Sequence, residues 1–322
     1  MITRRQIVLA LGAGWVGAPF ALAASARVGF LGTESASEYA SNLDALRAGL
    51  RELGYTEGTN LVLETRWANG KNDRLPALAA ELVKLKVGVL VTHGTPGTLA
   101  AKQATSTVPI VMATSGDAAG TGLVKSLARP GGNVTGMTSL LPEVSAKRLQ
   151  LLKEVLPRMT RLAVLFNPIN PAFATDIAGV ESAAKAMKIG VQRFGVRGPG
   201  EFESAFASMA EKRVDAVMIH QDGMLNANPK VAATLARRHH LPSIGFKEFG
   251  EAGGLIGYGV NFLEMYRRAA VYVDKLLKGA KAAELPIEQP TNFELVINLQ
   301  TARALGVTIP RALLVRADRI IQ

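Results

Sequence analysis

The chain has 322 residues, a formal charge of +11, 48% hydrophobic residues and no cysteine. That length exceeds what one hydrophobic core ordinarily supports, so two domains are expected. The missing cysteine excludes disulfides, thiolate metal sites, a cysteine nucleophile and a lipid-carrying cysteine.

The first segment raises a choice. G-A-G-W-V-G at 12–17 matches the glycine fingerprint of a dinucleotide-binding turn, with Glu34 as the acidic residue downstream. That turn must open a helix with one polar face, yet Ile7 to Ala26 carries no charge and Pro19 interrupts the would-be helix. An export signal fits instead. Arg4 and Arg5 form a positive start, Ile7 to Phe20 an apolar stretch, and ALAASA at 21–26 offers cleavage after Ala23 or Ala26. T-R-R-Q-I-V also resembles a twin-arginine signal, and both the Tat and Sec routes stay open. A retained membrane anchor is the competing reading of this run. With no anchoring cysteine, the expected location is the periplasm.

From Arg27 short apolar runs alternate with longer amphipathic stretches. Strands are expected at 28–32, 60–67, 87–93, 109–114 and 133–138, and helices at 42–53, 74–86, 97–105 and 120–128. The 42–53 stretch places Leu43, Leu46, Leu50 and Leu53 at helical spacing before Gly54. VGVLVTH at 87–93 is unbroken apolar sequence up to its last two residues, as in a strand buried on both faces. A second series follows: strands at 161–167, 190–196, 215–220 and 242–246, and helices at 143–156, 173–187, 201–212, 229–239 and 247–252. This alternation implies right-handed βαβ units and two parallel-sheet lobes. The remaining elements, 254–261, a helix at 262–278 and 293–299, are too few for a third domain. They return to the two lobes and make a multi-crossover hinge.

The basic residues come in scattered pairs, such as Arg237 with Arg238 and Arg267 with Arg268. No aromatic interleaving or helix-turn-helix accompanies them, so they read as solvated helix faces and no nucleic-acid partner is expected.

Several blocks, in this order and spacing, carry a resemblance: 50–83, GTPGTLAAKQATSTVPIV at 94–111, GTGLVKSLARPGGNVTG at 120–136, LFNPINP at 165–171, EFGEAGGLIGYGVN at 248–261, 269–306 and LLVRADRII at 313–321. The chain resembles the ABC-transporter solute-binding proteins that include the tryptophan/tyrosine-binding lipoproteins, over essentially 27–322. The resemblance implies an α/β fold of two doubly wound parallel-sheet lobes joined by a multi-crossover hinge, the type I periplasmic-binding-protein fold. Crossovers are implied near 137–143, 254–259 and 288–295. The expected organisation is a signal peptide at 1–26, a first lobe from 27–138 and 258–289, and a second from 139–257 and 290–322. The chain departs from the lipoprotein members in lacking the anchoring cysteine, and at 116–118 GDA stands where many relatives have a proline after the aspartate.

Ligands in open α/β sheets meet the loops beyond the carboxyl ends of the strands. In the first lobe these loops carry Thr33, Glu34 and Ser35, then Thr95 and Pro96, then Thr114, Ser115 and Asp117. In the second they carry Asn167, Asn170, Asp222 and Phe246, and the crossover strand adds Tyr258 and Gly259. Hydroxyls, amides and helix N-termini suit a carboxylate, Asp222 suits an ammonium group, and Phe246 and Tyr258, with Phe166 nearby, suit apolar walls. The same residue types also serve structure. Thr and Ser cap helices, Asn167 and Asn170 suit proline turns, and Asp222 suits a cap for a helix starting near Asn228.

His93 and His220 each end a strand, one per lobe, but lack an assured carboxylate partner, so no metal site is expected. G-x-S-x-G, H-E-x-x-H and phosphate-loop patterns are missing, and neither catalysis nor a cofactor is expected. The expected function is a periplasmic solute-binding component of an ABC importer. It would be monomeric, taking an amino acid or small aromatic carboxylate by hinge closure and delivering it to an inner-membrane permease. A ligand sensor for a membrane receptor is the alternative, and a periplasmic hydrolase a weaker one.

Overall fold

The computed structural model describes residues 25–139 and 141–322. The export-signal reading falls almost wholly on 1–24, outside the described residues. Among the described residues no helix is long and apolar enough to cross a membrane.

The first half runs β1 (Ala26–Gly32), α1 (Ala40–Glu52), β2 (Leu61–Trp67), α2 (Leu75–Lys84), β3 (Val89–His93), α3 (Gly94–Ala104), β4 (Ile110–Thr114) and β5 (Val134–Gly136). These strands form a parallel sheet in the order β2-β1-β3-β4-β5. Side chains alternate across it. Val28, Phe30, Val89 and Val91 face α1, while Leu31, Leu90, Ile110 and Met112 pack with α2 and α3. Burial on both faces explains why these strands read as continuous apolar runs.

The chain continues through α4 (Leu141–Val155), β6 (Arg161–Phe166), α5 (Ala172–Ala186), β7 (Gly190–Gly195), α6 (Phe202–Glu211), β8 (Ala216–Ile219), α7 (Gly223–Ala227), α8 (Pro229–Arg238), β9 (Ser243–Gly245), α9 (Lys247–Glu251) and β10 (Ile256–Val260). It ends with α10 (Phe262–Leu277), β11 (Phe293–Asn298), α11 (Leu299–Ala304), α12 (Arg311–Val315) and β12 (Arg319–Ile321). The second sheet has the order β12-β11-β10-β9-β8-β6-β7.

Three segments join the lobes. The chain leaves the first sheet after β5, returns at Asn261 so that α10 can pack on α1, and crosses again between Glu288 and Phe293. Met137 bridges to Glu288, Glu288 N donates to Gly136 O at 3.0 Å, and Asn261 Nδ2 donates to Glu294 Oε1 at 3.0 Å. All five residues of β10 pair with β11 in the second sheet. The crossing therefore lies just beyond the expected 254–259, and the boundary expected at 257/258 falls inside β10. The last crossing also explains why β10 and β11 are antiparallel in an otherwise parallel sheet. The chain comes back at the end of the sheet from which it left, with Phe293 opposite Val260.

The helix expected at 120–128 is a run of turns. Asp117 Oδ1 accepts from Gly120 N at 2.8 Å, and Gly122 takes a left-handed φ of +72°. Those two glycines and the aspartate favour local turns over helix propagation. The periodicity also missed α7, α11, α12 and β12, all of six residues or fewer and so too short to show a repeat.

Candidate functional site

Both sheets reverse their strand order beside the same seam. In the first the reversal lies between β1 and β3, in the second between β6 and β8. A crevice opens at such a point beyond the carboxyl ends of the strands. Here the two crevices face each other. A Cβ on Gly223 of the second lobe would lie 3.0 Å from Thr33 Oγ1, 3.4 Å from Glu34 Oε1 and 3.5 Å from the Tyr39 hydroxyl of the first. The lobes are thus closed on one another.

Asp222 sits at the centre of the second-lobe side. It N-caps α7, where Oδ1 accepts from Met224 N at 3.0 Å, and not a helix near Asn228. Asn167 Nδ2 donates to Oδ1 at 3.3 Å and Asn170 Nδ2 to Oδ2 at 2.8 Å. The side-chain Oδ1 atoms of Asn167 and Asn170 accept from Ile169 N and Ala172 N, so the N-P-I-N turn aims both NH2 groups at one carboxylate. The turn chemistry and the site chemistry are one arrangement.

On the first-lobe side α3 follows β3 without a loop, Gly94 making the turn at φ +72°. Thr95 Oγ1 stands 3.2 Å from Ser115 Oγ and accepts from Gly116 N at 3.3 Å. Ser139 Oγ donates to Ser115 O at 2.9 Å, tying this wall to the hinge. The N-terminus of α3 points its free N–H groups and dipole at the seam, a setting that favours an anion.

His93 is buried and hydrogen-bonded within its own lobe. Nε2 lies 2.8 Å from the Tyr39 hydroxyl and Nδ1 2.5 Å from the Tyr266 hydroxyl. Tyr39 also donates to Gly223 O at 3.3 Å across the seam. One proton order satisfies the whole chain: Tyr266 donates to Nδ1, Nε2–H donates to Tyr39, and Tyr39 donates to the other lobe. Burial lowers the His93 pKa from 6.5 to about 3, so the ring is neutral. His220 does not meet it, standing instead 3.1 Å from Asp176 Oδ2. Among the described residues no cluster of three or more His, Asp or Glu could hold a metal ion.

The seam between these groups leaves a space of about 30 Å³, lined by His93, Thr95, Thr114, Ser115, Asn170 and Asp222. Such a space is of the size of a water molecule and smaller than an amino acid. A second cavity of about 370 Å³ shares His93, Asn226 and Phe262 with it, and adds Tyr39, Phe246 and Glu248.

The other expected residues lie around this centre. Ser35 bonds Glu38, and Asp117 closes its own turn. Pro96 lies in the first turn of α3. Phe246 is wholly buried and lines the larger cavity. Phe166 stacks on Phe173 at 3.7 Å, and Tyr258 stacks on Phe293 at 5.9 Å, away from the smaller space. Gly259 leaves room for Arg148, whose Nη2 would stand 3.1 Å from a Cβ there.

Sequence reasoning missed Gln221, Gly223, Ser139 and Phe262 in the lining. It also missed the wholly buried Arg148, whose Nε donates to Tyr258 O at 2.7 Å and whose Nη2 donates to Gln221 Oε1 at 2.9 Å. Adjacency to Asp222 could have found Gln221 and Gly223. Nothing local marks an arginine on α4.

The family model for ABC transporter substrate binding proteins matches residues 35–321. The chain belongs to this family. It is the solute-binding component of an ABC transporter, and its family binds without catalysis. A tyrosine-binding protein of Clostridioides difficile is 26% identical over 271 residues, covering 83% of this chain and 78% of that one. The solved ABC domain from Streptococcus pneumoniae in complex with L-Trp superposes with a TM-score of 0.86 at 25% identity, over 92% of this chain and all of that one. A conserved domain protein from Vibrio cholerae gives 0.87 at 28% identity, over 92% and 99%. The two sheets thus have the type I periplasmic-binding-protein architecture.

Proposed function

We propose that this binding protein works in the periplasm, where it captures an amino acid of the aromatic class by hinge closure and delivers it to an inner-membrane permease. The two lobes would act as one monomeric clamp divided at the crossings described above. The solute's ammonium group would meet Asp222, and its carboxylate the hydroxyls and N–H groups around Thr95, Ser115 and Gly116. Its side chain would extend into the cavity bordered by Phe246 and Phe262. The observation that carries this reading is Asp222, a buried carboxylate oriented by two asparagine amides opposite the N-terminus of α3. Anionic and donor groups on opposite lobes suit a zwitterion, and the tyrosine- and L-Trp-binding relatives support the aromatic class.

Closure would follow from differential affinity. The first lobe holds the solute in the open form, and the second adds its contacts only when closed. The test is thermal unfolding with L-tyrosine, L-tryptophan, other amino acids and sugars. A ligand at about a hundred times its dissociation constant raises stability by about 2.7 kcal/mol. The expected result is a raised melting temperature with an aromatic amino acid, lost in Asp222→Asn. A flat response to amino acids after refolding from denaturant would sink the reading.

A further inference from the structure

Two carboxyl groups approach the seam from opposite lobes. Glu34, in the turn after β1, is only 6% exposed. A Cβ on Gly70 would lie 3.2 Å from its Oε2, and one on Gly223 3.4 Å from its Oε1. Gly223 directly follows Asp222, so the closed seam brings the Glu34 carboxyl into the field of that aspartate. Asp222 is met by neutral N–H groups alone, from Met224, Asn167 and Asn170.

Among the described residues no cation stands beside Glu34. Glu38 lies on its own segment and Tyr39 just beyond, Asp222 faces it, and His93 on β3 is neutral. Lys71, next to Gly70, is exposed. Among the described residues no lysine or arginine lines the smaller space, and Lys247 borders the larger cavity together with Glu248 and Glu251. Beside Glu34 a buried hydroxyl is unsatisfied among the described residues. Thr33 Oγ1 is buried without a hydrogen-bond partner, on a residue 4% exposed, and lies 3.0 Å from the Cβ position of Gly223. A buried carboxylate without a donor or a cation is costly, so the closed form must neutralise it.

We infer that Glu34 and Asp222 form a cation clamp, which closes on a solute whose positively charged nitrogen enters between them and otherwise closes only with a proton on Glu34. This rests on the reading that the cleft captures its solute by closing, and it narrows the solute to one bearing an ammonium-type group. A sugar or a plain carboxylic acid leaves the pair uncompensated. The electrostatics agree: burial first, then Asp222, then Glu38 push the Glu34 carboxyl up from 4.5 to about 8. Opening returns Glu34 to water and separates it from Asp222, so the closed form binds a proton that the open form releases. Ligand-free closure is therefore strongest below 4.5, weakens through the interval up to about 8, and levels off above it. The limiting slope is about tenfold per pH unit.

Two measurements test the clamp. The first follows closure of the ligand-free protein by small-angle X-ray scattering across that pH interval, in wild type and Glu34→Gln. Glutamine has the shape of the protonated acid and cannot titrate. Wild type should open as pH rises and the variant should not; the same pH dependence in both overturns the clamp. The second is calorimetric titration with L-tyrosine, tyramine and 3-(4-hydroxyphenyl)propanoate, in buffers of different ionisation enthalpy. L-Tyrosine should bind with proton release at a pH where scattering shows the ligand-free protein closed, and the desamino acid about tenfold more weakly or worse. Glu34→Gln should abolish the release. A desamino acid that binds as tightly as tyrosine overturns the clamp while leaving the binding-protein reading intact. If no aromatic probe binds, the aromatic reading fails, and the scattering measurement still decides the clamp.

Discussion

His93 shows how one residue's setting redirects its chemistry. A histidine at a strand end suggests a ligand or a pH sensor, but burial between two tyrosine hydroxyls holds it neutral and makes it a relay to the other lobe. The sign of its pH effect follows from its depressed pKa. As pH falls from 6.5 toward about 3, the unfolded chain gains a proton that the folded chain refuses, so stability is lost at up to about 1.4 kcal/mol per pH unit. His93→Gln should be less stable near neutral pH, with a gap to wild type that narrows on acidification. Urea unfolding across that range measures the gap, and a constant one would show that His93 titrates normally. The neutral state was not legible in the sequence, because Tyr39 and Tyr266 lie 54 and 173 residues away from His93.

At the scale of elements, α1 and α10 show how distant segments make one layer. Both carry apolar residues at helical spacing, and Leu43, Leu46 and Leu50 meet Tyr266, Ala269, Ala270 and Val273 in one core. Their contact depends on Gly49, where a Cβ would lie 2.7 Å from Arg267 O and 2.8 Å from Ala270 Cβ. Backbone cannot yield as a flexible side chain can, so Gly49→Val should cost about 1–3 kcal/mol by overpacking. Chemical denaturation would show it as a lower midpoint with an unchanged slope. The helical pattern of α1 and α10 was plain in the sequence, as were most strands. Their mutual packing was not, because the chain makes the whole second lobe before returning. The stretch at 120–128 misled for a local reason: its apolar residues suggested a helix, while Asp117, Gly120 and Gly122 decided for turns.

For the whole molecule, the observed seam depends on a close approach that only a small residue permits. Gly223 fits against Thr33, Glu34 and Tyr39 of the opposite lobe. Gly223→Val would act as a wedge in the seam, shifting the molecule toward the open form while leaving each lobe's core intact. Small-angle scattering should then give a larger radius of gyration that added solute does not reduce to the wild-type closed value. A variant that closes as wild type does would mean that the seam can yield around the added side chain.

The sequence alone determined the alternation of strands and helices, the two parallel sheets and the strand-end loops that carry the candidate site residues. These follow from local periodicity and from where sheets present their carboxyl ends. It also supplied Thr95, Ser115, Asn170 and Asp222, which stand together in the seam. Only the tertiary structure decided that Asp222 is clasped by Asn167 and Asn170, that Tyr39 reaches the other lobe through Gly223, and that Glu34 is buried against Gly223 of the other lobe. Tyr258 and Phe166, equally plausible in sequence, stack within the second lobe instead. The reason is physical. Periodicity tells which face of an element is buried, while the neighbour across a seam depends on how two separately folded sheets meet.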